Sequence, residues 1–259
     1  MDDLTTLLRH SERATVRLGE LSGATRKAIG LRLATALSEQ IDTILAANTL
    51  DLELIREQQP DEPLAAVRLT PERLTKISDS LRLWANQPDP LSLVTPLDGQ
   101  ALLRVYAPLG VIGWLYDLYP EWLVAGISLA LKTGNAVVVS GATPHTQAAI
   151  VACLSDAAYR AGLPEGAILA VDYAQGSGAI AMLRQLHYLK LAVLCGRPAW
   201  AEALGENALI PTLVCGTASQ VIYIGASAIA ATALCRLGKD HEALFPPEWL
   251  TVLLAESFR

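Results

Sequence analysis

The sequence predicts an α/β fold, with a doubly wound parallel sheet that follows a helical N-terminal region. Two observations predict it. Up to about residue 90, apolar side chains recur at spacings of three and four, which is the period of an amphipathic helix. From Ala101 onward, short β-rich segments alternate with helical ones, which is the pattern of repeated β-α-β units with parallel strands and right-handed crossovers.

The N-terminal helices are predicted to pack against the rest of the chain. One apolar stripe is formed by Ile29, Leu33, Leu37, Ile41, Ile44 and Leu45. A later helix is predicted to begin after Thr70, because Thr is a good N-cap residue and Pro71 suits the first helical position. This helix is expected to run to about Asn86, where the sequence Pro88-Asp-Pro90 stops it.

The strands of the sheet are predicted at residues 111–116, 136–140, 167–171 and 189–195, with helices at 121–131, 144–161 and 177–187 between them. After Pro211 a smaller set of strands is expected at 212–214, 221–224 and 250–254, with one helix at 227–237. Two domains follow from this pattern. Residues 1–210 form the helical region plus a nucleotide-binding type of domain, and residues 211–259 form part of a second domain.

Composition argues against several classes of protein. The chain has 52% hydrophobic and 18% charged residues, but its longest uncharged stretch, 207–235, contains Pro211 and Gly216 and suits two strands and a helix better than a membrane span. The net charge is −6 and the 20 basic residues are dispersed, which argues against a nucleic-acid partner. The four cysteines and four histidines lack metal-site spacing, so no metal is predicted. The acidic N-terminus predicts a cytoplasmic protein.

Several motifs occur in the order and spacing of one known family. They are Thr25-Arg-Lys-Ala28, Arg68-Leu-Thr-Pro-Glu-Arg73, Pro108-Leu-Gly-Val-Ile-Gly113, Leu115-Tyr-Asp117 and Leu131-Lys-Thr-Gly-Asn-Ala-Val137. On these residues the chain resembles gamma-glutamyl phosphate reductase, a branch of the aldehyde dehydrogenase superfamily. The resemblance implies a Rossmann-like NADP-binding domain, a truncated catalytic domain and an oligomerisation element. It also implies an ancestral activity, the reduction of gamma-glutamyl phosphate to glutamate semialdehyde.

The chain departs from that family at the positions that carry its chemistry. The family's catalytic Cys-Asn-x-x-Glu motif is matched by Leu244-Phe-Pro-Pro-Glu248, and no cysteine occurs between Arg236 and Arg259. Glu121 stands where the resemblance places an asparagine that donates to the oxyanion, and an ionised carboxylate has no such donor. We therefore assign no catalytic residue. Cys195, near Arg197, is a candidate for a relocated nucleophile, because a neighbouring cation lowers the pKa of a thiol.

The resemblance places the cofactor against Tyr116, Pro120, Ser140 and Gly141, which are the candidate cofactor-binding residues. Ser140 replaces an arginine of the family, and the loss of a charge-assisted contact costs about 1.5–3 kcal/mol, or roughly ten- to a hundredfold in affinity. No cofactor is assigned on this basis, and NADP remains open.

The leading hypothesis is a pseudoenzyme that acts through protein–protein interaction. A second copy or another protein is expected to cover strands 221–224 and 250–254 of the truncated domain. Two alternatives stay open. One is an NADP-dependent oxidoreductase with a relocated or partner-completed site, and the other is a dinucleotide sensor.

Overall fold

The N-terminal region is helical, as predicted. The computed structural model describes residues 2–58, 64–96, 102–171, 177–216, 220–224 and 250–254. Its first helices are α1 (Asp2–Glu20), α2 (Gly23–Glu39), α3 (Ile41–Gln58), the short α4 (Leu64–Val67) and α5 (Pro71–Asn86). The predicted cap of α5 is confirmed, since the Thr70 side chain accepts a hydrogen bond from the backbone N–H of Arg73 at 3.2 Å.

The core of the molecule is a five-stranded parallel sheet. Its strands are β3 (Val111–Tyr116), β4 (Ala136–Gly141), β5 (Ile168–Ala170), β6 (Leu189–Gly196) and β7 (Thr212–Gly216). Their order across the sheet is β5-β4-β3-β6-β7. They are connected by α6 (Glu121–Lys132), α7 (Pro144–Arg160), α8 (Ser177–Leu183) and α9 (Pro198–Gly205). The chain starts at the central strand and winds outward in both directions, so the predicted doubly wound α/β fold is confirmed.

Helices cover the sheet along most of its length. Helix α1 packs on β3, β4 and β5, while α6 and α7 pack on the strands that they connect. Helices α2, α3 and α5 form an outer layer against α6 and α7. Strands β3 and β4 are buried over their whole length, which explains their continuous apolar sequences.

Helix α3 is fixed to the beginning of α7 by two buried polar side chains. The carboxylate of Asp51 accepts hydrogen bonds from the backbone N–H groups of His145 (3.0 Å) and Thr146 (2.7 Å), which α7 itself leaves unpaired. One turn earlier on α3, the Asn48 side-chain amide donates to the Thr146 hydroxyl at 3.2 Å. These contacts hold the carboxyl end of β4 beneath the outer helical layer.

Two smaller pairs of strands lie apart from the large sheet. Strands β1 (Val94–Pro96) and β2 (Leu103–Val105) form an antiparallel ribbon, and β8 (Gln220–Ile224) pairs in parallel with β9 (Leu250–Leu254). The predicted strands at 221–224 and 250–254 are therefore confirmed, whereas the predicted helix at 227–237 lies outside the described residues. Across the described part of the chain, no helix combines the length and the apolar character needed to cross a bilayer.

One predicted strand belongs to a different sheet from the one expected. The sequence assigned residues 212–214 to the second set of strands, but β7 pairs with β6, with Ala192 opposite Thr212 and Gly196 opposite Gly216. The assignment was wrong because α9 provides a complete parallel crossover after β6, so the next strand returns to the same sheet. The domain boundary at 210/211 itself remains a prediction.

Candidate functional site at the carboxyl edge of the sheet

The order of the strands singles out one edge of the large sheet. The chain leaves β3 toward β4 on one side, and later returns to β6 on the other side. In open parallel sheets this reversal leaves a crevice at the carboxyl ends of the two strands, where ligands bind. Strand β3 ends at Tyr116 and is followed by Asp117, and β6 ends with Cys195 and Gly196 and is followed by Arg197.

An ion pair closes this crevice. The Arg197 Nε atom donates to Asp117 Oδ2 at 2.6 Å, and Arg197 Nη2 donates to Oδ1 at 3.1 Å. The Asp117 side chain is only 4% exposed. A β-carbon added to Gly196 would lie 2.5 Å from the β-carbon of Asp117 and 3.1 Å from the Trp200 ring, so no space remains between these groups.

The end of the neighbouring strand is covered by an aromatic ring. The ring of Tyr116 lies across Gly141, where an added β-carbon would stand 2.0 Å from the nearest ring atom. The Tyr116 hydroxyl is 2.8 Å from the hydroxyl of Thr143, and burial raises the pKa of Tyr116 well above its ordinary value. The hydroxyl of Ser140, the residue before Gly141, is also buried and has no hydrogen-bond partner among the described residues.

Glu121, at the first turn of α6, is held by an arginine of α5. The Arg73 guanidinium donates from Nε to Glu121 Oε1 at 2.6 Å and also contacts it through Nη2. Arg73 further donates to the backbone carbonyls of Ala65, Ala66 and Arg68. Burial raises the pKa of Glu121 above its ordinary value, although the Arg73 charge acts in the opposite direction. Glu121 therefore ties α6 to α5, and its second carboxylate oxygen is buried without a partner in the described part of the chain.

The four candidate cofactor residues are all buried. Tyr116 and Gly141 are in contact, Ser140 lies next to Gly141, and Pro120 precedes α6. Sequence reasoning did not identify the pairing of Asp117 with Arg197 or that of Glu121 with Arg73. The sequence did contain one indication of the Asp117–Arg197 pair, because each of these residues follows the end of one of two predicted strands. The altered nucleophile motif around Leu244 lies outside the described residues.

The expectation of an activated Cys195 thiol is wrong. Cys195 is completely buried, and its pKa is raised by a hydrogen bond with Cys215 and by burial. The Arg197 guanidinium does not activate the Cys195 thiol, because its two short contacts are with Asp117. A thiol that is buried and protonated in this way is neither reached by a substrate from solvent nor activated to attack one. In the described ranges, no three His, Cys, Asp or Glu side chains are grouped so that they could hold a metal ion.

The comparisons with known proteins agree with this fold. The crystal structure of gamma-glutamyl phosphate reductase from Thermotoga maritima matches 96% of this chain with a TM-score of 0.77 and 22% identity, and the match covers 63% of that protein. An acetylating aldehyde dehydrogenase from Geobacillus thermoglucosidasius matches 99% of the chain with a TM-score of 0.74 and 16% identity, over 56% of its own length. The protein therefore has the fold of the aldehyde dehydrogenase superfamily.

Sequence comparison identifies the branch of that superfamily. Gamma-glutamyl phosphate reductases from Escherichia coli O81 and Salmonella agona are 36% and 35% identical to the chain over 231 and 228 residues. These matches cover 86% and 85% of the chain but 55% of each relative, so the chain spans about half the length of the curated relatives that it matches. No protein-family model matches the chain. The chain is a homologue of the gamma-glutamyl phosphate reductases.

The residues at the carboxyl edge do not fit a nicotinamide dinucleotide in this conformation. Such a ligand places its pyrophosphate over the ends of the two central strands. At that point the described residues present the Asp117 carboxylate, which repels phosphate, and the Arg197 guanidinium already paired with it. The ring of Tyr116 fills the space over Gly141, and Ser140 supplies no charge.

Proposed function

We propose that this chain is a catalytically inactive relative of gamma-glutamyl phosphate reductase, which acts in the cytoplasm by binding protein. The observation that carries the proposal is the closed carboxyl edge, where the Asp117–Arg197 ion pair fills the crevice between β3 and β6. A dinucleotide would have to displace this ion pair before it could bind. Breaking the pair leaves the buried Asp117 carboxylate unpaired and close to the ligand's phosphates, which weakens binding.

The geometry around Glu121 supports the same proposal. The resemblance places at this position an amide that donates to the oxyanion, but Glu121 is turned into an ion pair with Arg73. It is 1% exposed, so it offers no donor to a substrate from solvent. With Leu244 in place of the nucleophile, two of the groups needed for acyl transfer are replaced by residues that cannot do the same chemistry.

The β1–β2 ribbon is the surface that we propose binds protein. Its register places Val94 opposite Val105 and Pro96 opposite Leu103, so these four residues share one apolar face. Val94, Leu103 and Val105 are 56%, 64% and 68% exposed. A two-stranded ribbon with an uncovered apolar face is marginal in water. We propose that a second copy of the chain covers it, because the same patch on two copies is self-complementary around a two-fold axis.

The opposite face of the ribbon provides a matched control for this proposal. Val105→Lys places a charge on the apolar face, whereas Thr95→Lys places the same charge on the polar face, and both positions are exposed in a single chain. Light scattering after size-exclusion chromatography is expected to show a dimer for the wild type and for Thr95→Lys, and a monomer for Val105→Lys. A wild-type monomer at all concentrations would contradict self-association.

The inactivity is tested separately by NADPH oxidation. The assay uses an acyl phosphate and an aldehyde as substrates, with the Escherichia coli relative as the positive control. We expect no oxidation above the rate without protein. Sustained oxidation would favour the alternative of an oxidoreductase with a relocated site, and oxidation that appears only with a second polypeptide would favour a partner-completed one.

A further inference from the structure

Two cysteines face each other across adjacent strands at the end of the sheet. Cys195 of β6 is the register partner of Cys215 of β7. Because partners in a parallel ladder point to the same side of the sheet, the two thiols lie together. Neither is in a disulfide. Nothing in the proposed function uses this pair.

The two thiols differ in their access to solvent. Cys195 has no exposed surface, whereas Cys215 is partly exposed. Cys215 lies on β7, the last strand of the sheet in the described part of the chain, next to Val214, which is 49% exposed. A reagent from solvent therefore reaches Cys215 first, and Cys195 only through it.

The contact between the two thiols also divides the chemistry between them. Interaction with the Cys195 side chain lowers the pKa of Cys215 to about 7 in spite of its partial burial. The same contact, together with burial, raises the pKa of Cys195. Cys215 is thus the attacking thiolate at neutral pH, and Cys195 stays protonated beside it.

We propose that Cys215 is a modification site for low-molecular-weight disulfides of the glutathione class, with Cys195 as its resolving thiol. This inference goes beyond the proposed function and is independent of it. In the first step the Cys215 thiolate attacks one sulfur of the disulfide, the S–S bond breaks, and one thiolate leaves and is protonated. In the second step Cys195 attacks Cys215 Sγ, the bond between Cys215 Sγ and the small sulfur breaks, and the leaving thiolate takes up the proton that Cys195 gives up.

In the two steps together, two protein thiols and one small disulfide give one protein disulfide and two small thiols. The fold accommodates the product. Adjacent strands lie about 4.7–4.9 Å apart, which is within the range of about 4.4–6.8 Å between α-carbons that a disulfide spans. The product would join β6 covalently to β7, so the modification would lock the end of the sheet.

Cys153 serves as an internal control. It is also a free, half-buried thiol, but burial raises its pKa to about 11, with Asp156 adding to the effect. The fraction of Cys153 in thiolate form at pH 7 is therefore far below that of Cys215. If Cys215 is modified and Cys153 is not, the difference is due to the contact of Cys215 with Cys195 and not to exposure alone.

The test uses the whole chain, oxidised glutathione at pH 7, and peptide mapping by mass spectrometry without reduction. We expect peptides linked through Cys195 and Cys215 as the main product, with Cys153 unmodified. An unmodified protein, preferential reaction at Cys153, or a stable adduct on Cys215 without the linked peptides would overturn the proposal.

Two variants separate the roles of the thiols. In Cys195→Ala the glutathione adduct is expected to accumulate on Cys215 and to form roughly tenfold more slowly, because the donor that stabilises the thiolate is gone. In Cys195→Ser the adduct also accumulates, but a hydroxyl donor remains, so the first step is faster than in the alanine variant. Equal rates in the wild type and both variants would contradict the donor role of Cys195.

Discussion

The carboxylate of Asp117 and the guanidinium of Arg197 join the carboxyl ends of β3 and β6, with two contacts of 2.6 and 3.1 Å. These two strands flank the point at which the order of the sheet reverses. An open doubly wound sheet has its ligand crevice at that point. In this chain the Asp117–Arg197 ion pair occupies that point.

Arg197→Ala is expected to destabilise the protein by about 1–2 kcal/mol, because it leaves the buried Asp117 carboxylate unpaired while the lost arginine was itself partly exposed. Arg160→Ala is the control, since Arg160 pairs with Asp156 on the surface of α7 and both side chains are more than half exposed. Its effect should stay below about 0.5 kcal/mol. Equal losses in urea denaturation would show that the Asp117–Arg197 pair is not structurally important.

Gly141→Ala is expected to cost about 1–3 kcal/mol or more, because the added methyl group would overlap the buried ring of Tyr116. Gly19→Ala, in α1, meets no atom within 4 Å and should be neutral or stabilising by up to about 1 kcal/mol. Thermal unfolding of the two variants measures the difference. A mild effect at Gly141 would mean that the Tyr116 ring moves aside easily and that the edge can open.

Asp51→Asn tests the connection between α3 and α7. The change keeps the size of the side chain but removes one of the two oxygens that accept the backbone N–H groups of His145 and Thr146. We expect a loss of about 1–3 kcal/mol. Asp156→Asn on the exposed side of α7 is the matched control and should change stability by less than about 0.5 kcal/mol. A comparable effect of both changes would refute the capping role of Asp51.

Glu121→Gln is expected to alter how stability depends on pH. Burial raises the pKa of Glu121 in the folded state, so the folded protein binds this proton more tightly than the unfolded chain. The stability of the wild type relative to the variant should therefore increase as the pH falls through the raised pKa toward 4.5, the ordinary value for glutamate.

The control for this pH effect is Glu72→Gln. The pKa of Glu72 is lowered by hydrogen bonds from its own backbone N–H and from Thr70, which predicts the opposite sign. Relative to Glu72→Gln, the wild type should lose stability as the pH falls below 4.5, the ordinary value for glutamate, toward the lowered pKa. Denaturation curves at several pH values measure both differences, and the same slope for both variants would contradict the assignment.

The sequence was sufficient for the elements whose own residues determine them. Strand β3 has its predicted ends because a buried parallel strand is a continuous apolar run, and α5 begins and ends as its cap and following prolines predict. Helix α8 was predicted to reach residue 187 but ends at Leu183, after which turns lead to β6. No glycine or proline follows Leu183 to mark that end.

The contacts of the site depend on packing between distant segments. Arg73 and Glu121 lie 48 residues apart, and they meet because α5 packs against α6. Asp117 and Arg197 lie 80 residues apart and meet because β3 and β6 are neighbours in the sheet. The sequence predicted that Glu121 opposes the family's chemistry, but it could not show that the charge is used to hold two helices together.

A titration of the purified protein with NADPH, followed by nicotinamide fluorescence, shows whether the carboxyl edge is closed to a dinucleotide, with NADH as the specificity control and the Escherichia coli relative as the positive control. The closed edge predicts no saturable binding by this chain up to about 1 mM. Saturable binding with a Kd of about 1 μM would contradict the claim, because the crevice between β3 and β6 would then have to open at little cost.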